Sequence, residues 1–300
     1  MAEGSFSANE GADLSKYGQI CDQVLKRYEL RKHLGSGAFG DVIEALHLST
    51  NTLMAMKLLR YDPTKVKDDA TKETLNISKA GYHNNIVVVY DNFRFSPTHH
   101  AITMERFDMD LSEYFRPKRN RVIRLMLEVS LQSVTGLAFL HELQPPLIHR
   151  DIKPQNILIK IIKINAHTIQ VVAKLSDFGI SNIPSVADMA IPAEISKTLR
   201  NMVTTVAGRG TKAFLAPEFF AARDGRGLEN GKFRIEPSVD IFALGLVYLY
   251  VFFHNNSDYG KLNCLCFGMS QEHTDCGARK GYPPPSDCLR RVLMRLNGLN

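Results

Sequence analysis

Hydrophobic and polar positions along this chain of 300 residues follow two rhythms. Up to about residue 107 the apolar residues alternate or come in short blocks, as in strands. Afterwards they recur every three or four positions, as on helices. The stretch YELRKHLGSGAFGDVIEALHL from Tyr28 predicts two strands around a glycine cluster, with Tyr28, Leu30 and Leu34 on one face. TLMAMKLL (52–59) predicts a third strand after the turn-prone STN, and HNNIVVVYDNFRF and HHAITMERF predict two more. The polar stretch 62–72 leads into a predicted helix ending near residue 80. After Asp108, the residues Val122, Met126, Val129, Leu137 and Leu140 share one face of a helix over 120–143. ILIKIIKINAHTIQVVAKLSDFG (157–179) is β-rich, and further helices are predicted at about 239–251 and 289–296. Strands first and helices afterwards predict an α+β protein with a sheet-rich lobe and a helical lobe.

Composition narrows the class. An apolar fraction of 44% and a charged fraction of 23% are those of an ordinary globular protein, not of a disordered chain or a disulfide scaffold. The longest apolar run, Ile241 to Phe253, is 13 residues, shorter than the roughly 20 needed to cross a bilayer, so no membrane span is expected. No basic-then-apolar signal opens the chain, and five cysteines suit a reducing compartment, so an intracellular, cytoplasmic or nuclear, setting is expected. Net charge is +6, but the basic residues are scattered; a nucleic-acid partner is not expected. Residues 1–27, polar and rich in Gly, Ser and Ala, are expected to form a flexible leader. No pattern specifies an oligomeric state.

Three clusters carry chemistry. Gly35-Ser36-Gly37-Ala38-Phe39-Gly40-Asp41-Val42 matches G-x-G-x-x-G-x-V. The same glycines open a dinucleotide fold, but there a helix follows them, whereas DVIEALHL here is β-like. A flexible hairpin whose backbone N–H groups cover a triphosphate fits better. Lys57 stands on the third strand in Met54-Ala55-Met56-Lys57, where an acid on the next helix would hold it: Glu73, or one turn earlier Asp69. Then His149-Arg150-Asp151-Ile152-Lys153-Pro154-Gln155-Asn156 packs a base, a cation and an amide into one loop, with Asp177-Phe178-Gly179 and Ala216-Pro217-Glu218 following in order.

With these motifs the sequence resembles the protein kinase family, specifically its serine/threonine branch, over about residues 28–296. The resemblance implies a two-lobed fold: an antiparallel N-lobe sheet with one helix (28–104), a hinge (105–109) and a mainly helical C-lobe (110–300). It implies transfer of the γ-phosphate of ATP to Ser or Thr hydroxyls of protein substrates, with Mg²⁺. Asp151 would take the hydroxyl proton, Lys153 would reach the transferring phosphate, and Lys57, held by Glu73, would clamp the α/β-phosphates. Asn156 and Asp177 would offer hard oxygen ligands to Mg²⁺. Gly35, Ser36, Gly37, Ala38, Phe39 and Gly40 would cover the phosphates. Val42 and Ala55 would roof the adenine, Leu158 floor it and Leu34 sit at its mouth. Met104 would be the gatekeeper, and backbone groups of Glu105 and Phe107 would bond the purine edge. Lys153 and the Gly210-Thr211 pair fit the serine/threonine branch. Arg150 resembles an arginine that neutralises an activation-loop phosphate, with Thr204 or Thr205 as the expected site.

The sequence also departs from the family. Asn156 and Asp177 are 21 positions apart, so an insertion is expected around 160–170, and the segment from Asp177 to Glu218 is long at 42 residues. Cys264, Cys266, His273, Cys276 and Cys288 offer zinc-ligand types, yet their spacing fits no standard finger, and reduced cysteines are the expected state. The chain stops at Asn300, where the family usually has an arginine partner for the APE glutamate, here Glu218, and its final helices. Either Arg290, Arg291 or Arg295 substitutes for it, or the lobe is weakened. The alternative to an active enzyme is a nucleotide-binding pseudokinase scaffold, which the complete motif set disfavours.

Overall fold

The computed structural model describes residues 13–37, 40–60, 81–116, 123–165, 168–178, 214, 216 and 235–253, with side chains described as far as Leu249. The expected helix before residue 80, Ala38, Phe39, Glu73, Asp69, Gly179, the activation-segment threonines with Thr211, Pro217, Glu218, the cysteine-rich stretch and the last helix lie outside these residues.

Five strands form one antiparallel sheet: β1 (Tyr28–Gly37), β2 (Gly40–His47), β3 (Thr52–Arg60), β4 (Val89–Ser96) and β5 (His99–Glu105), in spatial order β1-β2-β3-β5-β4. Its central strand shows why the sheet is covered on both sides. In β3, Met54, Met56 and Leu58 pack into one cluster with Ile43, Ala45, Phe95 and Ala101, while Ala55 and Leu59 join the opposite cluster that continues into the helical lobe. Alternate side chains of a strand point to opposite faces, so a strand with apolar residues on both needs cover on both.

The outer cover is the segment expected to be a flexible leader. Over residues 13–27 it is folded: a 3₁₀ turn (Ser15–Tyr17) and a short helix α1 (Asp22–Arg27) lie on the outer face of the sheet. Tyr17 and Val24 are each 2% exposed within the outer cluster. The Cys21 amide donates to the Phe95 carbonyl at 2.9 Å, and Arg27 Nη2 reaches Asp91 Oδ2 at 2.7 Å. Each large apolar side chain so covered contributes roughly 1.5–3 kcal/mol, and that is what overrides the polar composition.

Two further differences concern strand periods. Leu34 was expected beside Tyr28 and Leu30, but register shifts between Leu30 and His33 and between His33 and Gly35 interrupt β1. Such a bulge breaks the two-residue period, and Leu34 is left exposed. The strand expected from His83 begins only at Val89. Ile86 instead bridges Leu175 in the second sheet, with the Val87 amide donating to the Leu175 carbonyl and the Leu175 amide to the Asn85 carbonyl, both at 2.9 Å.

Below the hinge come β6 (Met109–Asp110), α2 (Leu111–Tyr114), α3 (Ile123–Glu142), β7 (Ile157–Lys163), β8 (Ile169–Leu175) and α4 (Ser238–Phe253). The extra length expected at 160–170 is taken up by the β7–β8 hairpin, paired from Ile157–Leu175 out to Lys163–Ile169. Helix α3 is long and apolar enough to match a membrane span by length and composition. Its Met126, Val129, Leu137 and Leu140, however, are buried in the core cluster that also holds Val171 and Ala173 of β8.

Helix α3 also seats the turn that joins the lobes. Gln132 accepts from the Ala173 amide (2.8 Å) and donates to the Val171 carbonyl (2.9 Å), while Asn85 Nδ2 donates to Gln132 (3.3 Å) and to the Ala173 carbonyl (3.0 Å). Gly136 makes this approach possible: a Cβ there would lie 2.7 Å from the Asn85 carbonyl oxygen. Helix propensity alone favours Gly136→Ala by about 1 kcal/mol. The overlap is expected to reverse that sign and leave a net loss of roughly 1–3 kcal/mol. A lowered urea-unfolding midpoint is the expected result; a raised midpoint would contradict this packing.

Candidate active site

The loop His149–Asn156 sits between α3 and β7, and its shape is set from below by one side chain. Asp240, in the first turn of α4, is fully buried and receives the His149 and Arg150 amides, each at 2.7 Å, one on each carboxylate oxygen. His141 Nε2 of α3 lies 2.9 Å from the same Oδ2 as the His149 amide. A buried carboxylate is tolerated only when its lone pairs are filled in this way. The bonds hold Arg150 at φ 67°, a backbone conformation that ordinary side chains avoid.

From that base the loop directs its side chains. His149 is 0% exposed and its Nε2 faces the Ser176 carbonyl at 2.9 Å, so Nε2 carries the proton and donates. Its Nδ1 is then the acceptor for the Asp151 amide at 3.3 Å. The Asp151 carboxylate receives Lys153 Nζ (2.6 Å) and Asn156 Nδ2 (2.8 Å), both on Oδ2. Asn156 Nδ2 also donates to the Asp151 carbonyl at 2.8 Å, so the amide nitrogen is committed to Asp151. Burial pushes the Asp151 carboxyl up from its ordinary value, against the opposing pull of the Lys153 ammonium.

The second acid arrives from β8. Asp177 has φ 66°, and its Oδ1 accepts from Lys57 Nζ of β3 at 2.8 Å. Phe178 turns the other way, fully buried, with its ring 4.9 Å from that of His149. Burial alone would raise the Asp177 carboxyl, but the Lys57 ammonium outweighs it, and Lys153 adds to the pull, so the net direction is downward. Asp177 therefore stays ionised. Arg150 is half-buried; desolvation brings its guanidinium down to about 10, with the Asp240 charge opposing.

Ala55 pairs with Met104, and Lys57 pairs with Val42 across β2 and with Ile102 across β5. Val42, Ala55, Met104, Phe107 and Leu158 belong to a single hydrophobic cluster. The Glu105 amide is committed to the Val88 carbonyl at 3.0 Å, so any backbone bond from Glu105 to a purine must come from its carbonyl. Gly35, Ser36, Gly37 and Gly40 lie at the β1–β2 turn above. Gly40, at φ 133°, is required there because a Cβ would meet the Leu58 carbonyl oxygen at 2.0 Å.

Asn156 and Asp177 fit a hard divalent cation by their donor types. With its amide nitrogen on Asp151, Asn156 keeps its carbonyl oxygen as the ligand atom, and Asp177 is an ionised carboxylate. Among the described residues no group of three or more His, Cys, Asp or Glu forms a metal site by itself. Two protein oxygens are what a Mg²⁺ site completed by phosphate and water needs.

Three contributors were missed by sequence reasoning. Asp240 falls in the helix predicted at about 239–251 with no role assigned to it, although a lone charge in SVDIFALGLVYLYVFF signals a buried anchor. The double-sided apolar pattern of β3 was the signal for the N-terminal cover. Lys174 Nζ donates to Glu105 Oε1 at 2.6 Å, and the Val88 amide donates to the same oxygen at 2.7 Å, which ties β8 to the hinge. No local motif marks that pair. Lys174→Met strands the Glu105 charge and is expected to cost roughly 1–3 kcal/mol, with the Lys174→Met/Glu105→Gln double variant recovering part of it. Unfolding midpoints of the two variants test this; a double variant less stable than the single would contradict it.

Comparison with known proteins agrees with this geometry. A family model described as the protein kinase domain matches residues 28–262. The chain is 29% identical over 268 residues to serine/threonine-protein kinase tousled-like 2 of Xenopus tropicalis, covering 86% of this chain and 35% of that protein. It is 26% identical to sporulation protein kinase mde3 of Schizosaccharomyces pombe, covering 80% and 41%, and 24% identical to serine/threonine-protein kinase TOS3 of Saccharomyces cerevisiae, covering 91% and 50%. The chain thus spans between about a third and a half of the length of these relatives. The match over residues 28–262, in keeping with the Lys57–Asp177 pair and the bonded Asp151 loop, establishes that this chain belongs to the protein kinase family.

Proposed function

We propose that the chain transfers the γ-phosphate of ATP to serine or threonine hydroxyls of protein substrates. One observation carries this reading: Asp151, held by Lys153 and Asn156, lies close enough to the Lys57–Asp177 pair for the Asp177 charge to push its carboxyl up. The catalytic loop thus brings a base, and the strand above brings a cation toward which phosphates are drawn.

In this reading Asp151 Oδ1 or Oδ2 takes the proton as the substrate oxygen bonds to the γ-phosphorus and the bond to the ADP oxygen breaks. Lys153, already 2.6 Å from Asp151, puts positive charge beside the transferring group. Lys57 holds the α/β-phosphates, with Glu73 as its expected second partner. Asn156 and Asp177 hold Mg²⁺, which when bound neutralises phosphate charge. The cluster of Val42, Ala55, Met104, Phe107 and Leu158 receives the adenine, with the Glu105 carbonyl and Phe107 backbone on its edge and Leu34 at the rim. The hairpin Gly35–Gly40 covers the triphosphate. The preference for serine or threonine is supported by Lys153 and by the names of the relatives. Control by an activation-loop phosphate near Arg150 and an intracellular setting belong to the same proposal.

The test is phosphorylation of serine/threonine and tyrosine peptide libraries with ATP–Mg²⁺. Incorporation into serine or threonine peptides is expected, falling about 10²–10⁴-fold in Asp151→Ala, as loss of a general base does. Lys57→Met is expected to abolish transfer as well. Nucleotide binding without transfer by the unmodified protein would favour the scaffold instead. Transfer undiminished in Asp151→Ala would remove Asp151 from the mechanism.

A further inference from the structure

Asp41, directly after Gly40, is where the glycine hairpin and the N-terminal segment meet. From the hairpin, Ser36 Oγ donates to Asp41 Oδ1, and His33 Nε2 lies 3.5 Å from that oxygen. Ser36 and Asp41 are also cross-strand partners, so this bond closes the arm of β1 onto the arm of β2. From the N-terminal segment, Tyr17 Oη donates to Asp41 Oδ2 at 2.7 Å, and Lys16 Nζ lies 2.9 Å from the same atom. One carboxylate thus receives donors from both sides.

The Tyr17 end is fixed. Its ring is 2% exposed and meets Phe95 and His99 edge-on, at centroid separations of 5.9 and 5.1 Å. Lys16 and Tyr17 belong to the 3₁₀ turn, where the Tyr17 amide donates to the Leu14 carbonyl at 3.1 Å and the Ser15 hydroxyl donates to Asp13. The Ser36 hydroxyl, followed by the Lys16 ammonium, holds the Asp41 carboxyl well below the usual carboxylate range, so it is an acceptor throughout.

A glycine-rich hairpin gains close backbone approach to a ligand at the cost of conformational freedom, which binding must then remove. A fixed anchor on its rising arm removes part of that freedom beforehand. We propose that Tyr17 and Asp41 are positioning residues for the nucleotide, acting through Ser36: the N-terminal segment pre-orders the hairpin that covers the phosphates. This rests on the kinase reading above.

The experiment uses the full chain with ATP–Mg²⁺ as the probe. Tyr17→Phe keeps the ring and removes only the hydroxyl, Asp41→Asn keeps the shape, and Ser36→Ala cuts the link at an exposed position that folding does not depend on. Each is expected to raise the ATP Kd and KM about threefold to tenfold, the scale of one lost hydrogen bond, while kcat stays within about twofold. In the Tyr17→Phe/Ser36→Ala double variant the loss is expected to be no larger than in the weaker-binding single variant. Amide exchange over residues 34–42 without nucleotide is expected to quicken in Tyr17→Phe. If the unmodified chain binds ATP but the three single variants leave Kd and exchange unchanged, the positioning role is overturned and the kinase reading stands. Losses that multiply in the double variant overturn it equally. An unmodified chain that binds no ATP overturns the kinase reading and this inference together.

Discussion

The Asp240 carboxylate is the constraint on which the active-site geometry depends. It is fully buried, and its two oxygens are filled by consecutive backbone amides of the catalytic loop and by His141. A bare charge at that depth would cost several kcal/mol, and a loop residue held at positive φ costs of order 1–3 kcal/mol. Each offsets the other. The two amides stabilise the charge, and the charge holds Arg150 in its strained conformation. With the backbone of Arg150 turned in this way, Asp151 projects toward Lys153 and Asn156. Helix α4 therefore supplies the foundation of a loop that lies about ninety residues earlier in sequence.

The second principle of the fold is a sheet with two duties. Its inner face supplies Val42, Ala55 and Met104 to the core cluster shared with the helical lobe and Lys57 to Asp177. Its outer face would expose Ile43, Met54, Met56, Leu58 and Phe95 without the segment 13–27 packed on it. The hydrophobic effect recruits that segment, and once it is there its polar atoms reach the base of the glycine hairpin through Asp41. Packing on the outer face of the sheet and the glycine hairpin are thereby linked through a single carboxylate. The Asn85–Gln132 bonds and the Lys174–Glu105 pair fix the sheet to the lobe beneath in the same way.

Legibility in the sequence tracked the distance between partners. HRDIKPQN could be read directly, because its base, cation and amide lie within one loop and bond to one another. The fold class followed from the change of hydrophobic period, and the strands around the glycines from their alternation. The β1 bulges were not legible: the pattern of Tyr28, Leu30 and Leu34 looks continuous, and only pairing with β2 reveals the register shifts. Asp240 and Lys174 escaped because their partners, backbone amides and a hinge carboxylate, leave no pattern near them. The leader misled through composition. Its few apolar residues, Leu14, Tyr17, Ile20 and Val24, are three or four positions apart, a helix-like spacing interrupted by Gly18 at φ 73°, and they are the ones that pack on the sheet.

The central claim, that a buried carboxylate from α4 holds the catalytic loop by its backbone, has a direct measurement. Amide hydrogen exchange can be followed at His149 and Arg150 in the unmodified chain and in Asp240→Asn, whose carboxamide keeps the shape but loses an acceptor. The account predicts that both amides are strongly protected in the unmodified chain, and that in the variant their exchange quickens far more than that of amides within the β7–β8 hairpin. Rapid exchange at both positions in the unmodified chain, or equal quickening along the hairpin, would contradict it.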